Sequence, residues 1–200
     1  MIRLFVLVGA VLLTTGLVLF ETSGAFFGTT KSTGTLGTGT VELSDSALRG
    51  PNETTGTPLF VVTDMSGGQA ESRCVRIAYT GTIFPADVTM YGETTGALSR
   101  FLTITVEVLQ ATETPTDNTV CRTLRADRTL FPNENTRPGR DTLRSFFQDH
   151  KNMSAGLPVW SPTSVADSSV VLRITLRLQD NPAAQSQTTT PGFVWEVTHR

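Results

Sequence analysis

The stretch that decides the fold is Val170-Val171-Leu172-Arg173-Ile174-Thr175-Leu176-Arg177-Leu178. Every second residue from Val170 to Leu178 is apolar, and Arg173 and Arg177 stand at positions between them. A strict period of two is typical of a strand that buries one face and leaves the other in water. The stretch therefore predicts a half-buried strand of an antiparallel sheet.

Other segments repeat this pattern or are rich in β-branched residues, which favour strands. Leu102–Val108 and Phe193–Thr198 alternate most clearly, and the region around Val120–Leu124 is predicted as one more strand. Residues that favour turns separate the candidates. The shorter candidates are Val41–Leu43, Thr57–Asp64, Arg73–Thr80 and Ala86–Tyr91.

One stretch departs from the strand pattern and predicts one or two helical turns within Pro138–Phe147. Leu143, Phe146 and Phe147 follow the i, i+3, i+4 spacing of a helix, and Asp141 is a candidate N-cap. Several short strands with almost no helix indicate an all-β fold. We expect a jelly-roll or Ig-like Greek-key β-sandwich rather than a simple meander. This sandwich has one short helix and is preceded by an N-terminal signal helix.

The first 25 residues have the features of an export signal. Arg3 supplies a positive charge, Leu4–Phe20 is an apolar run, and Ser23-Gly24-Ala25 supplies small residues. This order predicts a signal peptide that is cleaved between Ala25 and Phe26. Because the apolar run is close to the shortest length that crosses a bilayer, a retained membrane helix is the alternative. Both alternatives place the domain outside the cytoplasm, as a secreted or cell-surface protein.

Residues 26–43 form a β-prone arm that is rich in Gly and Thr. We therefore divide the chain into a signal peptide (1–25), an N-terminal arm (26–43) and a β-sandwich domain (44–200). The arm is expected to become a strand, either in the sheet of its own chain or in that of a neighbouring subunit. The residues expected to carry this pairing are Phe26, Phe27, Gly34, Leu36, Val41 and Leu43.

The chain contains two cysteines, Cys74 and Cys121. An even number of cysteines in an exported chain predicts a disulfide bond between them. Closing a loop of this length stabilises a fold by about 4 kcal/mol in the chain-entropy model. A metal site is the weaker alternative, because the cysteines and the histidines show no ligand spacing.

The sequence offers no sign of a reaction. His150 and His199 are the only histidines, and neither a His-Glu-x-x-His nor a Gly-x-Ser-x-Gly motif is present. We therefore predict that the protein is not an enzyme and binds no cofactor or metal. The net charge of −2 gives no electrostatic reason to expect nucleic acid. The six arginines from Arg122 to Arg144 could bind an acidic polysaccharide, and a solvated surface is the simpler interpretation.

Five segments, taken in order along the chain, carry a resemblance to a known family. They are Phe26-Phe27-Gly28-Thr29, Gly34–Leu43, Asp64-Met65-Ser66-Gly67-Gly68, Arg76-Ile77-Ala78-Tyr79-Thr80-Gly81-Thr82 and Phe193-Val194-Trp195-Glu196-Val197. In these segments the chain resembles the TasA/camelysin family of secreted biofilm-matrix proteins. Members of that family have signal peptides that a dedicated signal peptidase removes.

The resemblance implies a jelly-roll domain that polymerises, with the N-terminal strand of one subunit completing the sheet of the next. Head-to-tail exchange does not close on itself, so it produces a filament. We therefore expect a secreted structural protein of the cell surface or extracellular matrix that forms homo-oligomeric fibres. Its expected partners are further copies of the chain, a signal peptidase and a cell-wall or matrix polymer. The alternative is a monomeric surface module that binds glycan or cell-wall polymer.

Overall fold

The computed structural model describes residues 31–36, 39–47, 59–60, 65–81, 85–110, 118–164 and 168–199. For residues 31–36, 39–47, 81, 85–86, 118–119, 121 and 198–199 only the backbone is described. The expected signal peptide, its cleavage site at Ala25 and Phe26, and Phe27 lie outside the described residues, as does most of the predicted strand Thr57–Asp64. Within the described ranges, no helix combines the length and hydropathy needed to span a bilayer.

Two antiparallel sheets make up the described part of the fold. In chain order the strands are β1 (Lys31–Leu36), β2 (Gly39–Ala47), β3 (Ala70–Gly81), β4 (Pro85–Thr95), β5 (Leu102–Leu109), β6 (Ala126–Phe131), β7 (Leu157–Trp160), β8 (Ser168–Leu178) and β9 (Thr190–His199). Six strands pair in the order β1-β2-β3-β8-β5-β6, and three pair in the order β7-β4-β9. Every neighbouring pair is antiparallel. The prediction of a mostly β fold with antiparallel sheets is confirmed.

The alternation in β8 is also confirmed and places this strand over the core. Leu172, Ile174 and Leu176 have no exposed surface. They belong to one hydrophobic cluster to which both sheets contribute, since Val88 of β4 and Trp195 of β9 are members too. Each fully buried aliphatic side chain of this kind stabilises the fold by about 2 kcal/mol relative to an exposed one.

The prediction of a strand around Val120–Leu124 is wrong. Asn118–Thr123 forms a short helix, α1, which lies between β5 and β6 in the sequence. Val120 is 44% exposed, so the stretch has no buried face like that of a core strand. The β-branched residues of this stretch suggested a strand, and tertiary context overrode that weak propensity.

The predicted helix is present as α2 (Leu143–Asp149), and Leu143, Phe146 and Phe147 are buried as expected. Its N-cap is Thr142, not Asp141: the Thr142 hydroxyl accepts a hydrogen bond from the Ser145 amide at 3.2 Å. Thr142 has extended backbone angles, as an N-cap requires. The Asp141 carbonyl instead accepts from the backbone amide of a β5 residue, which places Asp141 one step before the cap.

Candidate functional site: an N-terminal hairpin on a sheet edge

The first two strands form a hairpin at one edge of the six-stranded sheet, and we call β1 and β2 the N-terminal hairpin. They pair in antiparallel register from Lys31 opposite Ser44 to Leu36 opposite Gly39. β1 is the outermost strand at this edge, so within the described ranges it has a strand partner on one side only. Unpaired backbone groups on such an edge can accept a strand from another chain.

The inner strand of the hairpin, β2, joins the rest of the sheet through β3. Val41 lies opposite Gly81 at one end of this ladder, and Ala47 lies opposite Val75 at the other. Because β2 continues to Ala47, the strand extends beyond the predicted arm boundary at residue 43. The hairpin is therefore attached to the body of the sheet along one continuous ladder of main-chain pairs.

The predicted arm residues within the described ranges all take part in this pairing. Gly34 lies opposite Val41 within the hairpin, Leu36 is the last residue of β1, and Leu43 lies opposite Tyr79 of β3. In this chain the described arm residues thus pair with their own sheet. Pairing with the sheet of a neighbouring subunit stays a proposal.

β3 is the strand that receives the hairpin, and its inner face is part of the core. Val75, Ile77 and Tyr79 are buried, as the alternation of this segment predicts. Burial raises the pKa of the Tyr79 phenol above its usual value. On its other side β3 pairs with β8 from Ala70 to Tyr79. Without the hairpin, β3 would become the edge of the sheet.

The opposite face of β3 carries Cys74, which is fully buried in a second, smaller apolar cluster with Leu109 and Val171. Leu124, just after α1, packs against this cluster. Cys74 is disulfide-bonded, and Cys121 is the one other cysteine of the chain. The pairing of the two stays a prediction, because the side chain of Cys121 lies outside the described residues.

Arg173 of β8 ties the segment around α1 to the outer face of the six-stranded sheet. Its Nε donates a hydrogen bond to Oε2 of Glu107 on β5 at 2.8 Å. Its Nη1 donates to the carbonyl oxygens of Leu124 at 2.9 Å and of Arg122 at 3.2 Å. Arg173 and Glu107 are only 15% and 18% exposed. Removal of either partner would leave a partly buried charge without its counter-ion.

Arg122 makes a second set of contacts from α1 to β3. Its Nη2 donates to Oε1 of Glu71 at 2.8 Å, and its Nε donates to the carbonyl oxygen of Ser72 at 3.2 Å. We call Arg122 and Arg173 the arginine clamp. Through this clamp the C-terminal end of α1 contacts three strands, β3, β8 and β5. The six-stranded sheet therefore packs on the core with its inner face and contacts the arginine clamp with its outer face. These contacts include β3, the strand that pairs with the hairpin.

The arginines between residues 122 and 144 do not converge on one site. Arg122 belongs to the clamp, whereas Arg144 lines a groove together with Lys151. Arg137 and Arg140 line a separate pocket. The single basic region suggested by the sequence is therefore divided among different surfaces.

The histidines do not form a metal or nucleophile site within the described ranges. Nδ1 of His150, after α2, makes a hydrogen bond of 2.8 Å with the carbonyl oxygen of Ala155. The His150 ring packs against Phe146, with ring centroids 4.7 Å apart. Only the backbone of His199 is described, as the last residue of β9. Among the described residues, no group of three or more His, Cys, Asp or Glu could hold a metal ion.

The outer face of the three-stranded sheet carries a polar pair that joins β4 to β9. The hydroxyl of Tyr91 donates a hydrogen bond of 2.7 Å to Oε2 of Glu196. Burial, together with this hydrogen bond and the negative charge of Glu196, raises the pKa of Tyr91 to about 12. Tyr91 therefore remains a neutral donor well above the pH at which an exposed tyrosine ionises.

Comparison with protein families and with curated proteins adds no relative. The sequence matches no protein-family model, and no curated protein matches it significantly. The functional argument therefore depends on the sequence and the geometry.

The sequence analysis missed the arginine clamp and the division of the basic region. Arg173 and Glu107 are far apart in the sequence, and the register of β5 against β8 brings them opposite each other. The sequence does carry one signal for the clamp. Both residues interrupt apolar strands on the face predicted to be in water, where opposite charges on paired strands attract.

Proposed function

We propose that this protein is an exported structural component of the cell surface or extracellular matrix. In this proposal its two sheets form a jelly-roll sandwich, and subunits assemble into fibres by exchanging the N-terminal hairpin. The observation that carries the proposal is the position of the hairpin. It comprises the first described strands of the chain and lies outermost in the six-stranded sheet. It pairs with the edge of β3.

The energetics of main-chain pairing permit such an assembly. The main-chain pairing between β2 and β3 is the same whether β2 comes from the same chain or from another one. Exchange therefore conserves these hydrogen bonds, and protein concentration decides between the closed monomer and the linked form. Since each subunit gives one hairpin and receives another, the contact is head-to-tail and extends into a filament unless the rotation closes it.

Other features fit a protein that works outside the cytoplasm. The sequence begins with an apolar segment that has the order of an export signal. Cys74 is disulfide-bonded in a buried position, and disulfides persist mainly in oxidising compartments. The layer formed by α1 and the arginine clamp holds β3, β8 and β5 in place. A neighbour's hairpin could then pair with β3.

The test is to lock the hairpin to its own sheet. Ser44 lies directly opposite Ala78 in the β2–β3 ladder, at a spacing that suits a disulfide. We expect the oxidised Ser44→Cys, Ala78→Cys double variant to stay monomeric at concentrations where the wild-type chain forms fibres, because a locked hairpin cannot leave. Fibres are measured by negative-stain microscopy and light scattering of the chain recovered after export.

Two controls make this test specific. A mixture of Ser44→Cys chains with Ala78→Cys chains should form a disulfide between chains when oxidised, which records exchange directly. The same double variant under mild reduction should form fibres again. Fibres of the oxidised double variant that are as abundant as those of wild type would contradict hairpin exchange.

A second candidate function is a monomeric surface module that binds glycan or cell-wall polymer. One observation favours it. The pocket lined by Arg137 and Arg140 combines positive charge with amide and hydroxyl groups, the chemistry with which proteins bind acidic sugars.

A further inference from the structure

A pocket of about 610 Å³ opens beside the loop that joins β6 to α2. We call it the Arg137 pocket. Ligand-binding clefts for small molecules have volumes of roughly 300–1,000 Å³, so the pocket can hold one or two sugar units. Its lining residues are Phe131, Asn133, Asn135, Thr136, Arg137, Arg140, Asp149 and His150.

The loop side of the pocket is held in one conformation by its own hydrogen bonds. Oδ1 of Asn133 accepts from the Asn135 amide at 3.0 Å and from the Thr136 hydroxyl at 3.2 Å. The Thr136 amide donates to the Asn133 carbonyl at 3.0 Å, which closes the turn. Because the turn is preorganised, a ligand would not have to order it on binding.

Arg137 supplies a positive charge that no carboxylate of the described residues neutralises. Among the described residues, Arg140 pairs with Oδ1 of Asp149 at 2.5 Å, whereas no carboxylate lies within ion-pair distance of Arg137. A guanidinium group presents parallel N–H donors that match the two oxygens of a carboxylate. Arg137 is thus the group most suited to hold a ligand anion.

The other side of the pocket presents hydrogen-bond acceptors. Since a carbonyl oxygen can only accept, the contact with Ala155 requires that Nδ1 of His150 carries a hydrogen. In the neutral ring, Nε2 is then an acceptor. Arg140 uses Oδ1 of Asp149, and the second carboxylate oxygen adds another acceptor. Hydroxyl groups of a sugar can donate to both, whereas a phosphate at neutral pH has little to donate.

The floor of the pocket is apolar. Phe131 is 4% exposed and packs edge-on against Phe146, with centroids 5.0 Å apart. His150 also lies against Phe131, at 6.0 Å between ring centroids. An apolar floor with polar groups around the rim is the usual design of a small-molecule site.

We propose that the Arg137 pocket binds a carboxylated sugar of an acidic polysaccharide. Arg137 holds the carboxylate, and Asn135, Thr136, Asp149 and His150 bind the ring hydroxyls. The inference gives the second candidate function a site and a ligand class, and it does not depend on fibre formation. If the protein also forms fibres, each subunit presents one such pocket to the surrounding polymer.

The test measures binding of a galacturonic acid oligomer by calorimetry to the chain recovered after export. Its methyl-esterified form is the matched probe, because it keeps the hydroxyls and loses the charge. We expect the esterified oligomer to bind at least about tenfold more weakly, as expected for the loss of charge-assisted hydrogen bonds. Arg137→Gln should weaken binding of the acid by a similar factor.

Arg144→Gln is the matched control, because Arg144 belongs to the same stretch and lines a different groove. It should change the affinity less than about twofold, the small effect expected for an exposed charge outside the contact. Thermal unfolding of each variant shows whether the fold is retained. Absence of binding, equal losses in the Arg137 and Arg144 variants, or displacement of the oligomer by equimolar inorganic phosphate would each overturn the proposal.

The oxidised Ser44→Cys, Ala78→Cys variant separates this proposal from the fibre proposal. It is a locked monomer with the pocket unchanged, and it should bind the acid oligomer as wild type does. Loss of fibres without loss of binding supports both proposals. Binding without any fibres in wild type supports the pocket and contradicts exchange.

Discussion

The two sheets differ in how their outer faces are covered. On the six-stranded sheet, the segment around α1 is held against β3, β8 and β5 by Arg122 and Arg173, above a small apolar cluster around Cys74. On the three-stranded sheet, the hydroxyl of Tyr91 in β4 donates a hydrogen bond to the carboxylate of Glu196 in β9. The outer face of the six-stranded sheet is thus covered by the segment around α1. The outer face of the three-stranded sheet carries a hydrogen-bonded pair of side chains from neighbouring strands.

This difference shows which part of the molecule is built to stay rigid. The central strands β3, β8 and β5 are fixed by the main core on one face and by the clamp on the other. The N-terminal hairpin lies beyond them and joins along the β2–β3 ladder. A rigid receiving strand beside a terminal hairpin is what strand exchange requires, because the strand must keep its shape while the hairpin is absent.

The largest effect is expected on the inner face of the six-stranded sheet. Leu172→Ala removes a side chain with no exposed surface from the core between the sheets. We expect it to lower the free energy of unfolding by about 3 kcal/mol, since the lost contacts are followed by a cavity. Urea denaturation followed by circular dichroism measures the change.

Val170→Ala is the matched control in the same strand and on the same face. Val170 is only partly buried, so its truncation should cost about 1 kcal/mol. Equal losses in the two variants would mean that the core does not extend along β8 as the burial pattern indicates.

The second-largest expected effect concerns the layer that α1 and the arginine clamp form on the six-stranded sheet. Arg173→Ala leaves Glu107 without its counter-ion and leaves two carbonyl oxygens near α1 without their donor. We expect a loss of about 2 kcal/mol, less than a fully buried ion pair because both side chains keep some contact with solvent. Unfolding in urea gives the stability, and hydrogen exchange of the α1 amides should accelerate.

Arg177→Ala is the control for this variant. Arg177 lies on the same face of β8, is exposed, and makes no ion pair among the described residues. It should change the stability by less than about 0.5 kcal/mol. A loss in Arg177→Ala as large as that in Arg173→Ala would remove the distinction between a clamped face and a solvated one.

The inner face of the fold was predictable from the sequence because its residues follow a simple period. The alternations in β8 and β5 and the spacing of Leu143, Phe146 and Phe147 in α2 all correspond to buried positions. Hydrophobic burial imposes these periods directly on the sequence. Patterns of this kind therefore indicate elements and faces reliably.

The outer layer was not predictable in the same way. β6 is mostly exposed, so it carries no apolar period and was not predicted as a strand. Thr142 rather than Asp141 caps α2. Both residue types are good N-caps, so the sequence alone does not distinguish them. The clamp and the Arg137 pocket depend on which strands lie side by side, which the sequence does not state.

The smallest expected effect concerns the outer face of the three-stranded sheet, and it depends on pH. Tyr91→Phe removes the hydrogen bond to Glu196 and should lower the free energy of unfolding by about 1 kcal/mol at neutral pH. The pKa of Tyr91 is about 12 in the folded state and about 10 in an unfolded chain. A raised folded pKa means that the stabilisation is fully present below pH ~10 and is lost as the pH rises through the folded value.

The difference in stability between wild type and Tyr91→Phe should therefore shrink between pH ~10 and pH ~12. Tyr79, whose pKa burial also raises, is present in both proteins, so its contribution cancels in the comparison. Urea denaturation of both proteins across this range measures the difference, and tyrosinate absorbance follows the ionisation itself. A constant difference would show that the Tyr91 hydroxyl is solvated and that this outer face, unlike the clamped one, is not stabilised by polar contacts between strands.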